Sequence, residues 1–221
     1  MDSFYSGFIS GIFQTIIGHP FDTMKTWNQN SVKLKKPNFN IRNLYKGIYY
    51  PLAQNPIVIS TSLATNQILK KETNNIYFSS FCSGILTGFI ICPLDKFKIM
   101  RQQHIIHRLN IKNFVKSYKD LGICLAREVP ATMIYFSSYN KFKENEIPIF
   151  LSGSLAGCLS WIFTYPVDTI KSRIQSNSCP SIKLAIQKKN LYLGFNNCII
   201  RAFIVNGIGF YVYEYFLEKF K

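Results

Sequence analysis

Charge is scarce in this chain, and acidic charge scarcest of all. Of 221 residues, 17% are charged, where a soluble domain carries about 25%, so an ordinary water-facing surface is poorly provided for. The 11 acidic residues stand against 26 Lys and Arg, a formal net charge of +15. That excess fits either a nucleic-acid binder or a membrane protein with basic loops against anionic lipid. Long apolar runs are lacking too, and no twenty-residue stretch is purely hydrophobic, so hydropathy alone marks no clean span. Six cysteines (82, 92, 124, 158, 179 and 198) form no CxxC pair and no metal-ligand spacing. They read as small apolar helix residues, with no metal site. The three histidines, 19, 104 and 107, share no nucleophile or metal-binding neighbour, so the chain carries no enzymatic constellation and no cofactor motif. Met1-Asp2 runs straight into an apolar stretch with neither a basic leader nor an Arg-rich presequence, so targeting is expected to be internal.

What the chain has in abundance is repetition. Pro20-x-Asp22-x-x-Lys25, Pro93-x-Asp95-x-x-Lys98 and Pro166-x-Asp168-x-x-Lys171 recur with a period of 73 residues. Gln29, Gln102 and Gln175 stand four residues beyond each Lys, and the small-residue pairs Gly7/Gly11, Ser80/Gly84 and Gly153/Gly157 begin thirteen before each Pro. Five positions in register across three copies define three repeats, 1–73, 74–146 and 147–221. The second halves keep step: Tyr45-Lys46-Gly47, Tyr118-Lys119-Asp120 and Tyr192-Leu193-Gly194 each precede another apolar segment. Each repeat reads as helix, basic loop, helix. The pattern predicts six helices near 4–29, 48–70, 77–103, 121–144, 149–176 and 195–219. At 1.5 Å per residue each is roughly 33–43 Å long, enough to cross a bilayer with tilt. Small-xxx-small pairs let helices approach closely where no hydrophobic force drives them together. The three signature prolines are expected to kink their helices rather than end them.

The cations now fall into place. Lys33, Lys35, Lys36, Arg42 and Lys46 lie in the first long loop, Arg108, Lys112, Lys116 and Lys119 in the second, and Lys183, Lys188 and Lys189 in the third. Each of these loops joins an odd helix to the next even one, so all three lie on one side of the membrane. They have little of the aromatic interleaving that stacks bases, and nucleic acid drops out as a partner.

The triple P-x-[DE]-x-x-[KR] signature resembles the mitochondrial carrier family along the whole chain. The resemblance implies an all-α membrane protein, a multi-pass monomer of the mitochondrial inner membrane. Six transmembrane helices would stand in three pseudo-threefold repeats about a central cavity, with both termini on the intermembrane-space side. It implies a matrix-side gate in which Asp22 meets Lys98, Asp95 meets Lys171 and Asp168 meets Lys25, braced by Gln29, Gln102 and Gln175. Buried ion pairs gain little net stability because desolvation opposes attraction, which suits a gate that must open. On the cytoplasmic side the family's acid–base motif is eroded to Gln67 with Lys70, Asn140 with Lys143, and Glu214 with Leu217. Lys70, Lys143 and Glu214 are the charges left there, and a weak cytoplasmic gate is expected. The loop-end motif is also eroded, at Asp120 and Leu193, so Tyr45-Lys46-Gly47 is the best lipid site, with cardiolipin as the expected lipid.

The family's contact positions on the even helices fall on Gln54/Asn55, Arg127/Glu128 and Arg201/Ala202. Arg-Glu-Val-Pro-Ala and Arg-Ala-Phe-x-x-Asn-Gly are similar to strings in carnitine, ornithine, basic amino-acid and S-adenosylmethionine carriers. An intramembrane arginine is costly and therefore functional by default. Two arginines against Glu128, with no carboxylate at Gln54/Asn55, suggest a net positive cavity. On that ground the preferred reading is an antiporter of small anionic metabolites, nucleotides above all. An amino-acid or acylcarnitine carrier is the alternative, and a degenerate carrier acting as a scaffold comes last.

Overall fold

The computed structural model describes residues 2–30, 41–45, 47–102, 118–175, 182–187, 191–192 and 194–220. The side chains of 24–30, 42–43, 96–102, 175 and 182 lie outside that description. Six long helices dominate: α1 (Asp2–Asn30), α2 (Tyr49–Thr73), α3 (Ile76–Gln102), α4 (Leu121–Glu144), α5 (Ile149–Gln175) and α6 (Phe195–Lys219). All six expected helices are present, their ends within three residues of the positions read from the repeats. Short helices at Ile41–Leu44 and Ile182–Gln187 lie in the first and third loops.

The helices close into a ring. Each odd helix packs on the even helix of its own repeat, each even helix packs on the next odd one, and α6 returns to α1. The small pairs explain the tight odd–even contacts. A Cβ on Gly11 would sit 2.5 Å from the Cα of Pro56, one on Gly7 2.8 Å from that of Ser60, and one on Gly84 2.8 Å from that of Val129. The helices touch backbone to backbone at these points, where only hydrogen fits.

Burial runs opposite to a soluble protein. Ser6, Ser10, Ser60, Ser79, Ser80, Ser83, Ser152 and Ser154 are fully buried, while Phe81, Leu86, Phe89, Ile162 and Phe163 are exposed. Small hydroxyls inside and large apolar groups outside are what a lipid solvent selects. The inward hydroxyls bond across helices: Ser10 donates to the Gly209 carbonyl at 2.6 Å, Ser154 to Phe203 at 2.7 Å and Ser160 to Ala131 at 2.9 Å. Among the described residues, α3, α5 and α6 are long and apolar enough to span a membrane by composition. The other three helices are of similar length but carry more polar residues, such as Gln54, Asn55, Asn66 and Gln67 on α2.

Pro20, Pro93 and Pro166 all sit inside continuous helices. A proline deprives the carbonyl four residues earlier of its helical donor. After Pro166 the freed Ile162 carbonyl accepts the Tyr192 hydroxyl at 3.4 Å. Gly47 and Gly194 start their even helices with φ of +90° and +83°, whereas Asp120 in the second repeat has φ of −98°. The substitution that breaks the loop-end motif is thus matched by a different backbone turn, which an ordinary L-residue can adopt.

Candidate functional site

Each signature aspartate follows its proline by two residues, on the last turns of an odd helix near the loop end of the bundle. The structure describes all three. Asp95 meets Lys171 Nζ at 2.8 Å, as the threefold pattern predicts. Asp22 and Asp168 are held by the contact arginines of the even helices. Arg201 Nε lies 2.7 Å from Asp22 Oδ1, and its Nη2 donates to Oδ2 at 3.1 Å. Arg127 Nε lies 3.2 Å from Asp168, and its Nη1 donates to Glu128 at 2.7 Å. Lys171 also comes within 3.5 Å of Glu128. Among the described residues one charged chain therefore runs Asp168–Arg127–Glu128–Lys171–Asp95 through α5, α4 and α3, with Arg201–Asp22 a separate pair across α6 and α1. The side chains of Lys25 and Lys98, and of the bracing Gln29, Gln102 and Gln175, lie outside the described residues.

Above this floor is a cavity of about 220 Å³. Its roof is apolar, formed by Leu63, Phe136 and Phe210 of the main hydrophobic cluster. Of the described residues that line it, Arg127 and Glu128 are the charged ones. Arg127 also lies over the ring of Trp161, 4.9 Å from its centre, a cation–π contact that fixes the guanidinium plane. Among the described His, Cys, Asp and Glu no group could hold a metal ion.

The third repeat, residues 147–221, matches the family model described as mitochondrial carrier protein. Mitochondrial ornithine transporter 1 of Schizosaccharomyces pombe is 26% identical, covering 98% of this chain and 92% of the relative. Solute carrier family 25 member 45 of Mus musculus is 24% identical over 100% and 99%. Mitochondrial arginine transporter BAC2 of Arabidopsis thaliana is 25% identical over 96% and 88%. Over nearly its whole length this chain is similar to mitochondrial carriers. Those relatives are named as mitochondrial transporters, and α3, α5 and α6 of this chain are apolar enough to span a membrane. In the orientation that the resemblance implies, the charged floor would be the matrix side and the roof the cytoplasmic side.

At the roof end, where the eroded motif lies, side chains link all three repeats. Lys143 Nζ bonds Glu214 at 2.7 Å, joining the second repeat to the third. Lys70 donates to Asn140 at 3.0 Å, joining first to second, and the Tyr213 hydroxyl donates to Gln67 at 3.0 Å, joining third to first. Tyr139 adds a bond to Glu214 at 2.9 Å while stacking on Phe210 with ring centres 3.7 Å apart. Where the motif's charges are missing, neutral amide and phenol groups stand in their place, and each joins two repeats.

Two further expectations change. Arg201, Gln54 and Asn55 do not line the cavity. Arg201 is drawn down onto Asp22, Gln54 donates to Asp95 at 3.3 Å, and Asn55 donates to Thr15 at 3.2 Å. Among the described residues the cavity lining carries one cation and one anion, Arg127 and Glu128, rather than the net positive charge on which the nucleotide preference rested. Every described arginine at this level is already matched by a carboxylate, and the excess cations of the sequence lie mainly in the loops. Nor do the similar carriers support nucleotides, since two of them are named for ornithine and arginine.

Sequence reasoning also missed residues. Gln14, Thr87 and Ser160 each stand six residues before a signature proline, and all three line the cavity. Their 73-residue spacing was the available signal. Thr23 and Thr169, directly after the first and third signature aspartates, donate to the loop carbonyls of Leu44 and Leu191, both at 2.7 Å. They pin each loop to the helix that carries a signature aspartate. Lys96 occupies that place in the second repeat. Of the expected lipid site, Tyr45 stacks on buried His19, with ring centres 6.0 Å apart, and Lys46 lies outside the described residues.

Proposed function

We propose that this carrier moves α-amino acids across the inner membrane by alternating access, as an exchanger. The observation that carries the reading is the adjacent pair Arg127–Glu128, one fixed cation and one fixed anion on the same cavity wall. A zwitterion presents the complementary pair. Its carboxylate suits the Arg127 fork, which binds planar anions bidentately, and its ammonium suits Glu128. A cavity of about 220 Å³ is smaller than the roughly 300–1,000 Å³ of drug-sized sites, which favours an amino acid over a nucleotide.

The same contacts suggest how binding opens the matrix side. Arg127 holds Asp168 and Glu128 lies beside Lys171, so a substrate that takes both side chains competes with the links that tie α4 to α5. A ligand shifts a two-state equilibrium only by its differential affinity, and these exchanged contacts are a source of it. Lipid at Tyr45-Lys46-Gly47, with cardiolipin as the fitting headgroup, and a monomeric state belong to the same proposal. The test is initial uptake by purified carrier in liposomes loaded with amino acids or nucleotides. Amino-acid uptake with nucleotide uptake at background is expected. Nucleotide uptake without amino-acid uptake would overturn the reading.

A further inference from the structure

Thr87 differs from most threonines of the bundle. Thr15, Thr61, Thr132, Thr164 and Thr169 each donate to the carbonyl four residues earlier, the usual fate of a helical threonine. The Thr87 hydroxyl has no hydrogen-bond partner among the described residues, although the residue is 4% exposed and lines the cavity. A buried polar group without a partner is costly, and one facing a cavity is free to be matched by what enters. Its repeat counterparts are already engaged. Gln14 gives its amide nitrogen to Ser10 at 3.1 Å, and Ser160 gives its hydroxyl to Ala131 at 2.9 Å. Asn206 and Tyr135 are bonded to each other at 3.1 Å.

Charge narrows the ligand further. The backbone charges of an amino acid use up both charged lining residues, Arg127 and Glu128. A cationic side chain would then face a lining of hydroxyls, amides and apolar groups with no carboxylate left among the described residues. Asp95 and Asp168 lie on the matrix side of that lining and already hold Lys171 and Arg127. An unpaired charge at that depth is expensive.

We infer that the cavity selects amino acids whose side chains are uncharged and end in a hydroxyl or carboxamide, and that Thr87 reads that group. This rests on the amino-acid reading above, and it departs from the basic amino acids for which two relatives are named. The test uses purified full-length carrier in liposomes, with labelled glutamine, serine, ornithine, arginine and the apolar norvaline. Wild type should take up glutamine or serine faster than ornithine or arginine. Thr87→Val, which keeps the shape and removes the hydroxyl, should cut uptake of the preferred polar substrate about tenfold relative to norvaline. Thr87→Ser should restore the ratio, which a merely structural role would not do. Ornithine or arginine exceeding both neutral substrates would overturn the inference and leave the amino-acid reading standing. So would an unchanged polar-to-norvaline ratio in Thr87→Val. No uptake of any amino acid would instead overturn the amino-acid reading.

Discussion

Replacing Asp168 by Asn separates competition from contribution at the gate. Arg127 Nε sits 3.2 Å from Asp168, whose side chain is 35% exposed, while the arginine itself is largely buried. Bare Coulomb attraction at that distance is about 5 kcal/mol with an effective dielectric near 20. Water reaches Asp168, and Arg127 keeps Glu128 at 2.7 Å, so the net worth of the contact falls to roughly 1–2 kcal/mol. If the substrate carboxylate must displace Asp168 to engage Arg127, removing that competitor tightens apparent binding by the same amount, about 5–30-fold. The change is nearly isosteric, so packing is preserved. Substrate-induced thermal shift of the purified carrier, titrated with the amino acid found to be transported, measures the change. The midpoint of that titration should fall 5-fold or more in Asp168→Asn, and the unliganded carrier should be slightly less stable. In an Arg127→Ala background the Asp168 change should have little effect, since its target is gone. Weaker substrate binding in Asp168→Asn would refute the reasoning, because Asp168 would then be part of the binding site.

Reversing Asp95 alone, to Lys, sets it against Lys171 at a contact now 2.8 Å long and should abolish uptake, while Asp95→Lys with Lys171→Asp should restore part of it. Equal uptake by single and double variants would show that the pair does not gate. Gly11→Leu should separate α1 from α2, because even a Cβ would stand 2.5 Å from the Pro56 Cα. Thermal unfolding is expected several degrees lower, or the protein fails to fold, and an unchanged transition would contradict the contact.

The architecture was legible in the sequence because repetition multiplies weak signals. One P-x-D-x-x-K is an accident of helix ends, whereas three at a spacing of 73 fixed the helix count, the side of the loops and the Asp95–Lys171 pair. The same symmetry was incomplete where the repeats differ. It assigned Asp22 and Asp168 to lysines, but those aspartates also lie within reach of arginines that only the second and third repeats possess. Position counting placed Arg201 in the cavity because it treats equal depth as equal direction, and a long guanidinium stem can reach one turn away to a carboxylate. Thr87 was invisible for a different reason. A threonine in a helix is ordinary, and only the surrounding bonds reveal that its hydroxyl has been left over.

Trp161 adds something beyond holding the Arg127 plane. The chain has two tryptophans, Trp27 and Trp161, and the second lies 4.9 Å from a guanidinium that the substrate is proposed to recruit. An indole's emission responds to a charge above its ring, so the carrier contains its own optical probe of Arg127. With Trp27 exchanged for Phe, the remaining fluorescence would follow the guanidinium without any added label. Substrate occupancy could then be watched in detergent or in sealed vesicles, at equilibrium or in a stopped-flow mixer.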